Sequence, residues 1–155
     1  MATFVYGERI AAQGKLSIGC SACLFDQTGA KILLTQRTDN GRWCLPGGHM
    51  AAGESVSEVC IREMWEETGL HVRVDRLVGV YSSPDRLLTY ADGNQYHLVS
   101  LHFVVSLESG ELGLSNETTA FGYFTRTEID ALDVMEHHRE RIADSWASNS
   151  AAAVR

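Results

Sequence analysis

The segment GHMAAGESVSEVCIREMWEETGL, residues 48–70, decides how the rest of the chain is read. Ser55 is placed as an N-cap with Glu58 three residues on, a capping box that opens a helix. Thr68-Gly69 closes it, because glycine readily takes the left-handed position that follows a helix. At about 100° per residue from Val56, Val59 falls at about 300° and Cys60 at about 40°, which marks an apolar, core-facing stripe. Glu63 falls at about 340°, Glu66 at about 280° and Glu67 at about 20°, so three acids continue that stripe toward the helix C-terminus.

This is an unfavourable place for acids. Like charges at i, i+3 and i+4 cost roughly 0.2–0.5 kcal/mol per pair. The negative end of the helix dipole adds about 0.3–1 kcal/mol each. A solvated acidic face with an Arg62–Glu66 pair is the plain reading, but it leaves the shared stripe with Val56, Val59 and Cys60 unexplained. A divalent cation such as Mg²⁺ or Mn²⁺ explains it, since such ions favour carboxylate and carbonyl oxygens. Upstream, Pro46-Gly47-Gly48 and then Gly53 let backbone approach closely and expose its polar groups.

Outside this segment the sequence bounds the possibilities. The chain has 155 residues, 45% of them hydrophobic, with 14 Gly and 2 Pro, which suits one domain with a real core. With 13 Lys+Arg against 20 Asp+Glu the net charge is −7, which disfavours a duplex nucleic acid partner. No apolar run is long enough for a membrane span, and residues 1–11 lack the pattern of a signal peptide; a cytoplasmic protein is expected. Leu16–Phe25 and Lys31–Gln36 read as a hairpin about the Asp26-Gln27-Thr28-Gly29 turn. Further strands are expected over Val72–Ser82, Tyr96–Leu107 and Ala120–Phe124, a short turn capped by Thr127, and a helix over Val134–Trp146. Residues 1–147 form the expected domain and 148–155 a frayed tail. Strands with a central and a terminal helix give a layered α/β domain.

Cys20 and Cys23 make a C-x-x-C, but on a strand i and i+3 face opposite ways, so with Cys44 and Cys60 they are read as buried structural thiols. There is no G-x-x-x-x-G-K-[ST] loop and no legible Ser-His-Asp arrangement.

Gly48, five residues, Glu54, seven residues, then Arg62-Glu63-Met64-Trp65-Glu66-Glu67-Thr68-Gly69-Leu70 resembles the Nudix box at every fixed position of its 23 residues. Leu33-Leu34, Arg37, the Trp43–Gly47 lead-in, Glu117 and Tyr123-Phe124 resemble the family as well. The resemblance implies a Nudix-like α/β/α sandwich with a mixed β-sheet and a MutT-like hydrolase cleaving the pyrophosphate of a nucleoside diphosphate linked to another moiety. ADP-ribose or another nucleotide sugar, and nucleoside triphosphates, are the expected substrates. It implies Glu63, Glu66 and Glu67 as Mg²⁺ (or Mn²⁺) ligands, with a carbonyl of Gly47 or Gly48, and Glu54 and Arg62 orienting them. Glu66, Glu63 and Glu117 are the candidate general bases; Glu117 is equally a candidate ligand or an exposed loop acid. Arg37, Tyr81 and Tyr90 are candidate substrate contacts, against surface or packing roles. Tyr96 shares those alternatives, His97 and His102 are read as structural, and His137-His138 as part of a solvated helix face. Trp65 and Trp146 are candidates for a homodimer interface. The rival reading is a non-catalytic nucleotide sensor on the same fold, for which a damaged box would be the sign; this box is intact.

Overall fold

The computed structural model describes residues 2–147 and 151–155. In chain order it contains β1 (Ala2–Tyr6), a 3-10 turn (Ile10–Gln13), β2 (Lys15–Leu24), β3 (Lys31–Arg37), β4 (Trp43–Cys44), α1 (Val56–Thr68) and β5 (Leu70–Tyr81). Then follow β6 (Arg86–Tyr90), β7 (Gln95–Gly110), β8 (Thr118–Thr125), α2 (Arg126–Ala131), α3 (Glu136–Trp146) and β9 (Ala153–Val154).

Helix α1 forms where the sequence places it. Ser55 accepts from the Glu58 N–H, the Glu58 side chain answers to the Ser55 N–H, and Gly69 ends the helix at φ 75°. Thr125 and Glu128 make a second capping box, so the cap of α2 lies two residues before the expected one at Thr127.

One sheet has the order β1-β6-β7-β5-β9, with β2 joined to β7; the other runs β4-β3-β8. The larger sheet is mixed, since β2 pairs parallel with β7 while β5 pairs antiparallel with it. The expected hairpin is only half realised. The turn forms, with Asp26 N–H donating to the Lys31 carbonyl and a single Phe25–Ile32 bridge. Beyond it the strands part into different sheets, β3 pairing with β4 and β8 instead. The free edge of β2 is taken by the loop before α1. Ala22 N–H donates to Pro46 O, Cys20 N–H to Gly48 O, and Met50 N–H to Ile18 O, each at 2.9 Å. That seam fixes the glycine loop against the sheet.

The core lies on both faces of β2 and β3. Cys20, Ala22, Leu24 and Leu33 pack with Val59, Cys60 and Met64 of α1 and with Val72 and Phe103. Cys23, Ile32 and Leu34 pack on the other side with Leu45, Ile129 of α2 and Ile142 of α3. Cys20 and Cys23 thus diverge as strand alternation requires, and all four cysteines are buried and free.

Residues 2–6 and 86–90, for which the sequence suggests no strand, pair with each other antiparallel. Two expectations change. His137 and His138 are buried, not solvated. The expected tail is not frayed over residues 151–155: β9 runs parallel to β5, and Arg155 holds Asp144 through its Nη2 at 2.8 Å. Residues 148–150 lie outside the described residues. Truncation after residue 147 should therefore lower the thermal midpoint by a few degrees, on the order expected for losing a small docked segment from a domain of this size. An unchanged midpoint in a calorimetric scan would show the docking to be energetically empty.

Candidate active site

The glycine loop and α1 meet at one wall of a cavity of about 490 Å³ lined by Arg37, Gly47, Gly48, Glu63, Glu66, Glu67 and Glu117, among others. At Gly48 a β-carbon would displace the Glu63 carboxylate from its present position. At Gly47 φ is 151° and a β-carbon would overlap the backbone of Cys20 and Ser21. The two glycines let the loop run between β2 and the acids.

Glu67 is buried with the apolar stripe, at 7% exposure. Its Oε2 accepts from the Gly47 N–H at 2.9 Å, tying the helix acid to the loop. Burial pushes the Glu67 carboxyl up to about 8; the Gly47 bond opposes this, and the Glu63 and Glu117 charges add to it. Burial also raises Glu63, against the pull of Arg62. Glu66 is more open, its side chain 47% exposed.

Arg62 joins the acids. Its Nε donates to Glu54 Oε1 at 2.5 Å and its Nη2 to Glu54 Oε2 at 3.0 Å. Its Nη1 donates to Glu63 at 2.8 Å and to Glu66 at 2.9 Å, and Nη2 reaches the His49 carbonyl at 3.1 Å. The bidentate fork draws the Glu54 carboxyl down to about 2, helped by the Ala51 N–H. The spacing that suggested a lone Arg62–Glu66 pair understated this arginine, which holds Glu54, Glu63 and Glu66 together.

Glu117 and Arg37 line the same cavity, Arg37 pairing with Asp39 at 2.8 Å. Tyr90 lines it too, its hydroxyl 2.8 Å from His49 Nε2, and His49 Nδ1 lies 2.8 Å from Ser17 Oγ. Tyr81 does not join them. It is buried in the sheet, donates to Asp144 Oδ2 at 2.8 Å, and lines only a small void behind the cavity, so it packs rather than touching a ligand there. His102 is the structural histidine expected, fully buried between Ser21 and Ser145.

The donor chemistry fits a hard divalent cation: carboxylates and carbonyls, with Glu67 buried, Glu63 half-buried, and both carboxyls raised by loss of water. Among the described residues no three acid, histidine or cysteine side chains already converge as a ligand set. Arg62 and the Gly47 N–H occupy their oxygens instead.

Three further cavity residues, His137, His138 and Arg141 of α3, were missed in the sequence. The signal was there: His137, Arg141 and Ser145 follow at i, i+4 and i+8, on the face of the helix that carries Ile142. A helix with so little apolar content otherwise reads as solvated.

The chain matches the NUDIX domain over residues 15–145. It is 38% identical over 105 residues to an ADP-ribose pyrophosphatase of Methanocaldococcus jannaschii, covering 66% of this chain and 59% of that protein. It is 34% identical over 117 residues to a MutT-like protein of Streptomyces ambofaciens, covering 76% of this chain and 64% of the relative. The matches thus span less than two thirds of these two relatives. Among solved structures, an ADP-ribose pyrophosphatase from Streptococcus suis superposes with a TM-score of 0.66 at 26% identity, covering 90% of this chain and 97% of that one.

The raised carboxyl of Glu67 has a sign that can be measured. With its pKa moved from 4.5 to about 8, the folded metal-free protein binds more protons than the unfolded chain between those values. Its contribution is therefore favourable at low pH and is lost as pH rises from about 4.5 through about 8. Glu67→Gln should flatten this part of the pH–stability curve and make the metal-free protein more stable near pH 8, read by urea unfolding in chelator. A variant less stable than the parent at pH 8, with the same pH slope, would contradict the assignment.

Proposed function

The chain belongs to the NUDIX family, and from that premise we propose that it hydrolyses the pyrophosphate linkage of a nucleoside diphosphate joined to a second group, with Mg²⁺ or Mn²⁺ held by Glu63, Glu66 and Glu67. The observation that carries the reading is the burial of Glu67, with half-buried Glu63 beside it, at a cavity shared with Glu66 and Glu117. Members of the family generally need a divalent metal and act on small nucleotides. Carbonyl oxygen from Gly47 or Gly48 completes the candidate donor set. When bound, the cation supplies charge neutralisation at the phosphates and a more acidic water.

The protein's own groups do the rest. Arg62 fixes the angle of Glu63 and Glu66 and is itself fixed by Glu54, the orienting task suited to a guanidinium fork. Glu63, Glu66 and Glu117 are the carboxylates in reach of the cavity that can take the proton of an attacking water. Arg37 faces the same space and offers positive charge to a phosphate or a hydrogen bond to a ribose. Tyr90 offers a ring for a base or sugar to lie against. A nucleotide sugar such as ADP-ribose, or a nucleoside triphosphate, fits this arrangement, and the name of the Methanocaldococcus jannaschii relative supports the first. The same reading locates the protein in the cytoplasm, acting on small molecules; no helix among the described residues is long and apolar enough to cross a membrane.

The test is a product analysis with Mg²⁺ over ADP-ribose, other nucleotide sugars, nucleoside triphosphates and dinucleoside polyphosphates. At least one substrate should be split at the pyrophosphate. Glu67→Gln should lower its turnover by roughly two orders of magnitude or more while the circular dichroism spectrum is kept. Binding of nucleotides without turnover of any would establish the sensor reading instead.

A further inference from the structure

The cavity has a second side, away from the carboxylates, and its key residue is Arg141 of α3. Phe4, Leu88, Leu98 and Met135 supply apolar wall there, with His137 beside Arg141. Arg141 is 4% exposed. Among the described residues no carboxylate forms an ion pair with it. Its Nη1 donates to Ser21 Oγ at 3.3 Å, and its guanidinium lies 5.4 Å from the centroid of the Tyr81 ring. Its Nε is buried with no partner, and so is Nδ1 of His137. Burial lowers Arg141 to about 10, and the neighbouring Arg86 adds to the shift.

A desolvated guanidinium without a countercharge or a full set of acceptors is expensive to keep. The small void behind it, about 10 Å³ and lined by Tyr81, Arg86, His137 and Arg141, has room for about one water. One water supplies a single acceptor and leaves the rest of the guanidinium fork unserved. An acceptor-bearing ligand entering the large cavity does more.

The chemistry of the walls selects the ligand. Apolar side chains and the Phe4 ring, 4.4 Å from that of His137, suit a flat, uncharged ring better than a phosphate stripped of its water. A guanidinium only donates hydrogen bonds, and the Arg86 nearby is already paired with Glu140 at 3.2 Å. The ring must therefore turn acceptors toward it. The 6-oxopurine edge offers two, O6 and N7, which match the arginine fork, whereas adenine turns a 6-amino donor to the same place.

We infer that Arg141 reads the base of the substrate, holding the O6/N7 edge of a 6-oxopurine nucleotide on the α3 side of the cavity. This rests on the preceding reading in that a nucleotide enters the cavity with its phosphates toward the glutamates. It selects guanosine-type over adenosine-type substrates, and Arg141 is a specificity-determining residue, not one of the reacting groups.

Calorimetric titration with nucleoside monophosphates in Mg²⁺ tests it without relying on turnover. IMP should bind roughly tenfold or more tighter than purine riboside monophosphate, which lacks O6 and the N1 hydrogen but keeps N7, and AMP should bind no better than the latter. Arg141→Met should erase the difference between the three. Should that variant not fold, the ligand series on the unchanged protein still decides. Equal affinities for the three, tightest binding of AMP, or inorganic phosphate competing as well as IMP would overturn the inference. Hydrolysis without base preference sinks this inference alone. Base-selective binding with no hydrolysis of any substrate sinks the hydrolase reading alone.

Discussion

Arg62 gathers Glu54, Glu63, Glu66 and the His49 carbonyl on one guanidinium. The rest of the site depends on that. Glu63 and Glu67 sit on the core-facing side of α1, where neither water nor the helix dipole supports a negative charge. Arg62 compensates Glu63 and Glu66 from the open side, and the Gly47 N–H compensates Glu67 from the loop side. The loop can serve this way only because it is stitched to β2 by three backbone hydrogen bonds and carries no side chain at Gly47 or Gly48. Sheet, loop and helix thus converge on one wall of acids that the protein alone neutralises incompletely.

The opposite wall has the complementary deficit. Arg141, buried and without a carboxylate, lines the same cavity from α3. A ligand with anionic phosphates at one end and acceptor groups at the other would relieve both, the phosphates through a bridging cation and the acceptors directly. The aromatic and apolar side chains between these ends make no demand on charge. The uncompensated polarity of the cavity is therefore better understood as reserved for a ligand than as a defect of folding.

How much of this was legible depended on how local each signal is. Helix α1 follows from residues three to four apart, Ser55 with Glu58 and the Val59–Cys60–Glu63–Glu67 stripe, so its ends and its buried face could both be read from the sequence. The candidate carboxylates came with it. The hairpin over Leu16–Gln36 was misjudged because its turn is local but strand partners are not. β2 prefers β7, more than seventy residues away, and β3 prefers β8. β1 and β6 are five residues each and do not alternate apolar with polar, and neither reads as a strand without its partner. The α3 face was hidden for another reason. His137, His138 and Arg141 are polar residues used as core, so their helical spacing was visible but their polarity pointed to solvent. Tyr81 takes the packing alternative, since it is buried and its hydroxyl is spent on Asp144.

The central claim is that the buried acids of α1 are kept for a divalent cation. Titration with Mn²⁺ near neutral pH, followed by loss of the free-ion electron paramagnetic resonance signal, addresses it directly. The account predicts saturable binding to the wild-type chain and affinity lower by roughly tenfold or more in Glu67→Gln, with the fold preserved. Equal Mn²⁺ affinity in the two proteins, or no binding to the wild type, would contradict it.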